Sequence, residues 1–289
     1  MRTERIGKHF QQPFYNVTLN SRNSQMTLHI DAHASVSDTT HFIENLEALE
    51  IESGTRNSEH STTKMYEEIS IALERAAHND QIVIVALTGV GEYYSSGNDI
   101  TSSFGGNMED VVAAASKKFE NLVETFINFP KILVAVVNGP AIGIAVTTLG
   151  LCDVVFASDK ATFQTPFSKL GLVAEGCSSY MFPMIMGHQR SMSMLCLNTK
   201  MNAMEAKECG LVTEVFSHRT FQEDVWARLV QYADLPAKSL LSTKRLIRLH
   251  ERDALKRACR AEVLQLKEMY FSEDFIKAML NFSSKRSKL

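Results

Sequence analysis

Hydrophobic and polar residues follow two different periods along this 289-residue chain. Continuous apolar runs are typical of strands buried on both faces, whereas apolar residues at every third or fourth position predict amphipathic helices. The first pattern predicts strands at 14–19, 25–31, 81–87, 131–137, 154–157, 161–163 and 211–216. The second predicts helices at 64–78, 110–129, 141–151 and 203–209. Strands that alternate with helices indicate an α/β fold.

The end of the chain has a different pattern. From Pro236 to Phe282, leucine and isoleucine recur at helical spacing with charges between them, which predicts helices that pack on the core or on another subunit. Residues 32–61 are rich in serine, threonine, histidine and glutamate, and they predict a surface insertion. We therefore divide the chain into a core at 1–235, which contains the insertion, and a C-terminal helical region at 236–289.

Charge and hydropathy give no indication of a nucleic-acid or membrane partner. A formal net charge of -3 gives no general reason to expect nucleic acid or an anionic membrane surface. The longest apolar stretch, 132–151, is interrupted by Asn138, Gly139 and Pro140, so strand, turn and helix explain it better than a membrane span. No apolar segment of a secretory signal follows the charged N-terminus.

The cysteines predict neither disulfides nor a metal site. The chain has five, with no C-x-x-C pair and no regular framework spacing. Free thiols in a reducing compartment are the expected state, and all five are expected to be small core residues.

A carboxylate and two glycine turns are the candidate catalytic groups of the chain. Glu175 stands alone among small and apolar residues in 170–177, downstream of the turns at 95–99 and 138–144. Loss of solvation raises the pKa of such a carboxyl toward the range of a general base. A helix N-terminal glutamate favoured by the helix dipole explains the same residue equally well. The turns could present two backbone N–H groups to an oxyanion, or their glycines could merely relieve crowding.

Ordered motifs from about residue 62 to 289 resemble the enoyl-CoA hydratase/isomerase superfamily, the crotonases. They are Leu87-Thr88-Gly89, Tyr94-Ser95-Ser96-Gly97-Asn98-Asp99-Ile100, Val136-Val137-Asn138-Gly139-Pro140-Ala141-Ile142-Gly143, Cys152-Asp153 and Gly210-Leu211-Val212. Within the superfamily, Pro166-Phe167-Ser168 and Glu175-Gly176-Cys177 are most similar to the peroxisomal Δ3,Δ2-enoyl-CoA isomerases. The resemblance implies a spiral of ββα units followed by a C-terminal helical oligomerisation region.

The resemblance also implies roles for particular residues. The backbone N–H groups of Asn98 and Ile144 match those that hold the thioester oxygen, and Glu175 matches the single catalytic carboxylate of the isomerases. The two glutamates of hydratases correspond to Thr147 and Phe167, which cannot act as acid or base. Further residues of the two turns are implied in substrate binding: Ser95, Ser96, Gly97, Asp99, Ile100 and Gly143.

The substrate implied is an acyl-CoA thioester, with coenzyme A as part of the substrate and no metal or other cofactor. A homotrimer or hexamer is implied. The family's CoA-binding loop is not recognisable in 32–61, so a non-catalytic CoA-binding or assembly protein is the alternative, and a hydratase is a weaker one. The terminal Ser287-Lys288-Leu289 is the tripeptide read by the peroxisomal import receptor and predicts a location in the peroxisomal matrix.

Overall fold

The computed structural model describes residues 15–20, 25–29, 62–98 and 107–286. Several predicted features lie outside these residues: the insertion at 32–61, Asp99 and Ile100 of the first turn, and the terminal Ser287, Lys288 and Leu289. They stay predictions.

The described strands form two sheets. The larger has the order β2-β1-β3-β4-β6-β9, in which β1 and β2 are an antiparallel hairpin and the other neighbouring pairs are parallel. The smaller has the order β5-β7-β8. The strands are β1 Tyr15–Asn20, β2 Gln25–His29, β3 Ile84–Val90, β4 Ile132–Val137, β5 Ala141–Ile142, β6 Val154–Ser158, β7 Thr162–Gln164, β8 Met201–Asn202 and β9 Glu214–Phe216.

Helices cover both faces of the larger sheet. They are α1 Thr62–His78, α2 Met108–Asn128, α3 Ile144–Thr147, α4 Ser178–Met186, α5 His188–Leu195, α6 Ala203–Glu208, α7 Phe221–Ala233, α8 Ala237–Met269 and α9 Glu273–Arg286. The predicted hairpin, the helices at 64–78 and 110–129, and the strands at 131–137 and 154–157 are confirmed within a few residues. The strand predicted at 81–87 begins later, at Ile84.

The continuous apolar runs of β3 and β4 are explained by burial on both faces. Val85 and Leu133 belong to the core cluster that includes α1 and α2. Their chain neighbours Ile84 and Val134 point the other way and pack in the cluster that includes α7. Because side chains alternate along a strand, a strand covered on both faces must be apolar throughout.

The helix predicted at 141–151 is wrong in its first part. Ala141 and Ile142 form β5, which pairs with β7. Gly143, at φ 62°, then breaks the chain direction before α3, and a 3-10 turn covers Thr148–Leu151. An apolar stretch without polar positions could not reveal this change, because strand and helix are both buried here.

The segment 165–200 carries α4 and α5, for which the pattern gave no prediction. One cysteine in this segment corrects the expectation that all five lie in the core. Cys196, which follows α5, is exposed; Cys152 is half-buried, and Cys177, Cys209 and Cys259 are buried. All five are free.

Helix α8 is anchored to the large sheet by a buried ionic group. Lys244 donates to Asp153 Oδ2 at 2.6 Å and to the Lys131 carbonyl oxygen at 2.5 Å. Arg248 donates to the Leu151 carbonyl oxygen at 2.6 Å. Asp153 also accepts from the Leu133 N–H of β4 at 2.8 Å, so one carboxylate ties helix and strand together. In the part of the chain described, no helix is both long and apolar enough to cross a membrane.

Candidate active site

The Asn138 side chain joins the second glycine turn to the segment that leads from β3 to the first turn. Its Oδ1 accepts from the Gly89 N–H at 3.0 Å, and its Nδ2 donates to the Gly91 carbonyl oxygen at 2.8 Å. Asn138 follows β4, and Gly89 lies at the end of β3, its neighbour in the sheet. The amide therefore fixes the loops that leave two adjacent parallel strands, at the edge where such sheets carry their ligand sites.

The turns also contact each other through their backbones. Ser95 forms a β-bridge with Ala141, and the Ile142 N–H donates to the Ser95 carbonyl oxygen at 3.0 Å. Gly97 has φ 80°, and a Cβ added there would lie 2.6 Å from the Ile142 carbonyl oxygen. Glycine is required at this position both by the backbone conformation and by the close approach.

The structure places the two predicted oxyanion residues on these joined turns. Ile144 is the first residue of α3, where helix geometry supplies no acceptor for the N–H group. Asn98 follows Gly97 and is exposed, as is Ser96. Ser95 is buried, and its hydroxyl accepts from the Gly97 N–H at 3.2 Å, so its side chain stabilises the turn.

Glu175 lies in the loop between β7 and α4. Its carbonyl oxygen accepts from the Ser178 N–H at 3.1 Å and the Ser178 hydroxyl at 2.6 Å. The next residue, Gly176, packs against α3, since a Cβ added there would lie 2.6 Å from Thr147 Oγ1. Helix α3 thus follows the glycine turns at one end and contacts the Glu175 loop at the other. Four helical residues span only about 6 Å, so the two parts of the site are close.

The structure decides against the helix-terminus explanation of Glu175. Helix α4 begins at Ser178, with Cys177 as its N-cap, so Glu175 precedes the helix. The carboxylate that accepts hydrogen bonds from this helix end is Glu262 of α8.

The environment of Glu175 suits a general base. Its side chain is half-buried, and burial raises the pKa of its carboxyl to about 8, with the nearby Glu262 charge adding to the effect. Two phenols are near enough to interact with it electrostatically, Tyr66 of α1 and Tyr270, which follows α8. Burial raises the pKa of both phenols, and the Glu175 charge raises it further, so both are neutral near pH 8.

Thr147 and Phe167 provide no second acid or base. Thr147 is fully buried, and its hydroxyl donates to the Ile144 carbonyl oxygen at 3.3 Å. Phe167 is also buried. Of the three side chains, only Glu175 carries an ionisable group.

A cavity elsewhere among the described residues is not this site. It has a volume of about 570 Å³ and lies between α1 and α2, lined by residues such as Glu67 and Asn128. Neither glycine turn nor Glu175 borders it. Residues 99–106, which follow the first turn, lie outside the described part of the chain.

Sequence reasoning missed three residues near Glu175: Tyr66, Tyr270 and Glu262. The tyrosines stand in ordinary helical patterns and carry no signal. Glu262 does carry one, because it interrupts the buried stripe of α8 that contains Leu255, Cys259 and Leu266. A carboxylate at a core position of a helix calls for a polar partner.

Comparison with known proteins agrees with the sequence motifs. The family model for enoyl-CoA hydratase/isomerase matches residues 57–288. The chain is 47% identical over 230 residues to enoyl-CoA delta isomerase 2 of Rattus norvegicus, with 79% of this chain and 59% of that protein covered. It is 47% identical over 227 residues to the peroxisomal enoyl-CoA delta isomerase 3 of Mus musculus, with 78% and 71% covered. The chain thus spans about three-fifths of the length of the rat protein.

A solved structure shows the same fold. The crystal structure of an enoyl-CoA hydratase/isomerase from Pseudoalteromonas atlantica superposes with a TM-score of 0.70 at 30% identity, covering 77% of this chain and 87% of that one. This confirms the predicted crotonase-like α/β fold with its C-terminal helical region. The matched residues include both glycine turns and Glu175, and the chain belongs to the enoyl-CoA hydratase/isomerase family.

Proposed function

We propose that this chain is a Δ3,Δ2-enoyl-CoA isomerase that converts 3-enoyl-CoA to 2-enoyl-CoA in the β-oxidation of unsaturated fatty acids. The observation that carries the proposal is the half-buried Glu175, with its pKa raised to about 8, beside two joined glycine turns. The names of the rat and mouse relatives support the same activity.

One carboxylate is enough for this reaction. Glu175 removes a proton from C2 of the 3-enoyl thioester: the C2–H bond breaks, an O–H bond forms, and the electron pair delocalises over the dienolate. The same carboxyl then returns its proton to C4, and the double bond ends between C2 and C3. Protons and electrons balance without a second acid, a metal or a redox group.

The negative charge of the dienolate needs stabilisation on the thioester oxygen. The N–H groups of Asn98 and Ile144 supply it in this mechanism, with Ser95, Ser96, Gly97, Asp99, Ile100 and Gly143 forming the substrate-binding turns around them. A single oxyanion donor lowers a barrier by about 2.7–4 kcal/mol. Two donors would account for a large part of the acceleration.

An assay with 3-enoyl-CoA thioesters of several chain lengths tests the proposal. We expect 2-enoyl-CoA to accumulate without 3-hydroxyacyl-CoA, because Thr147 and Phe167 cannot activate water. Formation of the hydroxyacyl product from 2-enoyl-CoA would favour a hydratase. A folded protein that binds acyl-CoA without turnover would favour the non-catalytic alternative.

We also propose import into the peroxisomal matrix through the receptor that reads Ser287-Lys288-Leu289. The peroxisomal relative from mouse supports this location. The chain fused behind a fluorescent protein is expected to be punctate and to coincide with a peroxisomal marker. Removal of residues 287–289 is expected to leave the fusion in the cytosol, and unchanged puncta would contradict the proposal.

The C-terminal helices are proposed to form a homotrimer, or a hexamer of two trimers. Apolar residues of α8 support this, since Leu246, Ile247, Leu249 and Leu264 are all more than half exposed in the single chain. Burial of such side chains between subunits is favourable by about 1.5–3 kcal/mol each. Light scattering of the purified protein would show a mass of three or six times 32.3 kDa.

A further inference from the structure

The turn that follows Glu175 has an uncommon backbone. Gly176 and Cys177 are consecutive residues in the left-handed region, at φ 65° and φ 64°. A residue other than glycine rarely adopts this conformation, and it persists only where surrounding contacts determine it. The backbone beside the base therefore depends on an external partner.

That partner is the Glu262 side chain. Its Oε2 accepts from the Cys177 N–H at 2.7 Å, and its Oε1 accepts from the Ser179 N–H at 2.9 Å and the Ser179 hydroxyl at 2.5 Å. Glu262 is buried, and all three contacts come from donors. Burial raises the pKa of the Glu262 carboxyl, and the hydrogen bonds from Ser179 and Cys177 oppose this shift. An ionised carboxylate, which only accepts, fits this arrangement, and the N-terminus of α4 favours a negative charge.

Helix α8 holds Glu262 firmly against the turn. Leu255, Cys259 and Leu266 on the same stripe are buried, and the Cys177 thiol donates to the Leu255 carbonyl oxygen at 3.3 Å. The ionic group around Asp153 anchors the same helix to the sheet. We call the Glu262 carboxylate and its hydrogen bonds to Cys177 and Ser179 the clamp. Contacts along α8 thus fix this clamp to the core.

We propose that Glu262 is a positioning residue: it holds the left-handed turn at Gly176 and Cys177 and thereby fixes the backbone from which the Glu175 carboxylate serves both C2 and C4. A base that moves a proton between two carbons needs a mobile carboxylate on a stationary main chain. The catalytic part of this inference rests on the proposed isomerase function; the structural part does not.

Glu262 also sets the charge around the base. Its carboxylate adds to burial in raising the pKa of Glu175, so its neutralisation is expected to lower that pKa. Titratable groups that interact with the two carboxylates include Tyr66 of α1, Tyr270 after α8 and Cys177, which in turn contacts Cys259. Raised pKa values keep Tyr66, Tyr270 and the Cys177 thiol neutral near pH 8.

The variant Glu262→Gln tests the proposal. Its control is Glu268→Gln, the same change at an exposed position of α8. The amide has a single acceptor oxygen, so it cannot satisfy donors on both sides of the clamp. Misplacement of a catalytic group by about 1 Å can cost about 100-fold, so we expect kcat to fall by about that factor with little change in KM. The rising limb of the kcat/KM profile is expected to move to lower pH. Glu268→Gln is expected to match the wild type.

Hydrogen exchange provides a readout that needs no turnover. In Glu262→Gln, the amides of Cys177 and Ser179 are expected to lose protection, while amides of α7 keep it. If the wild type does not isomerise 3-enoyl-CoA but these amides lose protection, the proposed function fails and the clamp stands. Unchanged protection and an unchanged pH profile in Glu262→Gln would overturn the clamp.

A milder variant decides the question if Glu262→Gln does not fold. Ser179→Ala removes the hydroxyl donor to Oε1 and leaves the carboxylate charge in place. We expect a partial loss of amide protection that is confined to residues 176–180. The rising limb of the kcat/KM profile is expected to stay at the same pH. Full wild-type protection in this segment would contradict the proposal.

Discussion

Replacement of Glu175 by glutamine is expected to reduce kcat for 3-enoyl-CoA isomerisation by about 10²- to 10⁴-fold, the usual contribution of a general base. Glutamine has nearly the same shape, but its amide cannot take the proton from C2. The side chain is half-buried, and the hydrogen bonds to Ser178 use the Glu175 carbonyl, so the loop is expected to keep its conformation. Spectrophotometric formation of 2-enoyl-CoA measures the loss.

Glu208→Gln is the control for this change, because Glu208 is exposed at the end of α6. It is expected to retain full activity. Both variants should bind the substrate thioester with similar affinity, since the oxyanion donors are unchanged. If Glu175→Gln isomerises at the wild-type rate, another group carries the proton and the mechanism is wrong.

The pH dependence of the proposed activity is expected to follow from the same carboxyl. The base must be ionised to act, and burial and the Glu262 charge raise its pKa to about 8. In the free enzyme, kcat/KM is therefore expected to rise with pH through about 8 and to level off above it. The residual kcat/KM of Glu175→Gln is expected to lack this rise with pH.

The glycine turns and the carboxylate at 175 could be located from the sequence because they are local motifs. A glycine at 97 or 143 and a lone carboxylate at 175 are visible in the printed chain. The buried strands β3 and β4 were equally clear from their continuous apolar runs. In each case neighbouring residues determine the structure, either through backbone conformation or through burial on both faces.

Contacts between distant residues could not be predicted in this way. The Cys177 N–H and Glu262 are 85 positions apart, and the approach of Tyr66 and Tyr270 to Glu175 likewise depends on how α1 and α8 pack. The helix prediction for 141–151 was wrong for another reason. The buried strand, turn and helix are all apolar there, so periodicity could not locate the end of the strand at Gly143. Tertiary packing determines these features. The local sequence indicates such a contact only where a polar residue, such as Glu262, occupies a position that the pattern assigns to the core.

The backbone donor at Ile144 can be removed by substitution with proline. Ile144→Pro deletes the N–H at the first position of α3, where proline fits a helix and no intrahelical hydrogen bond is lost. The loss of one oxyanion donor is expected to reduce kcat by about 10²- to 10³-fold. The measurement is the rate of 2-enoyl-CoA formation at saturating substrate.

Ile144→Ala is the matched control, since it removes the same buried side chain but keeps the N–H group. Truncation of a buried isoleucine costs about 2–5 kcal/mol of folding free energy, so both variants are compared only after circular dichroism and urea unfolding show them folded under assay conditions. The difference in kcat between proline and alanine then isolates the hydrogen bond to the thioester oxygen. Equal rates would place the oxyanion elsewhere and leave the turn at Gly143 with a structural role alone.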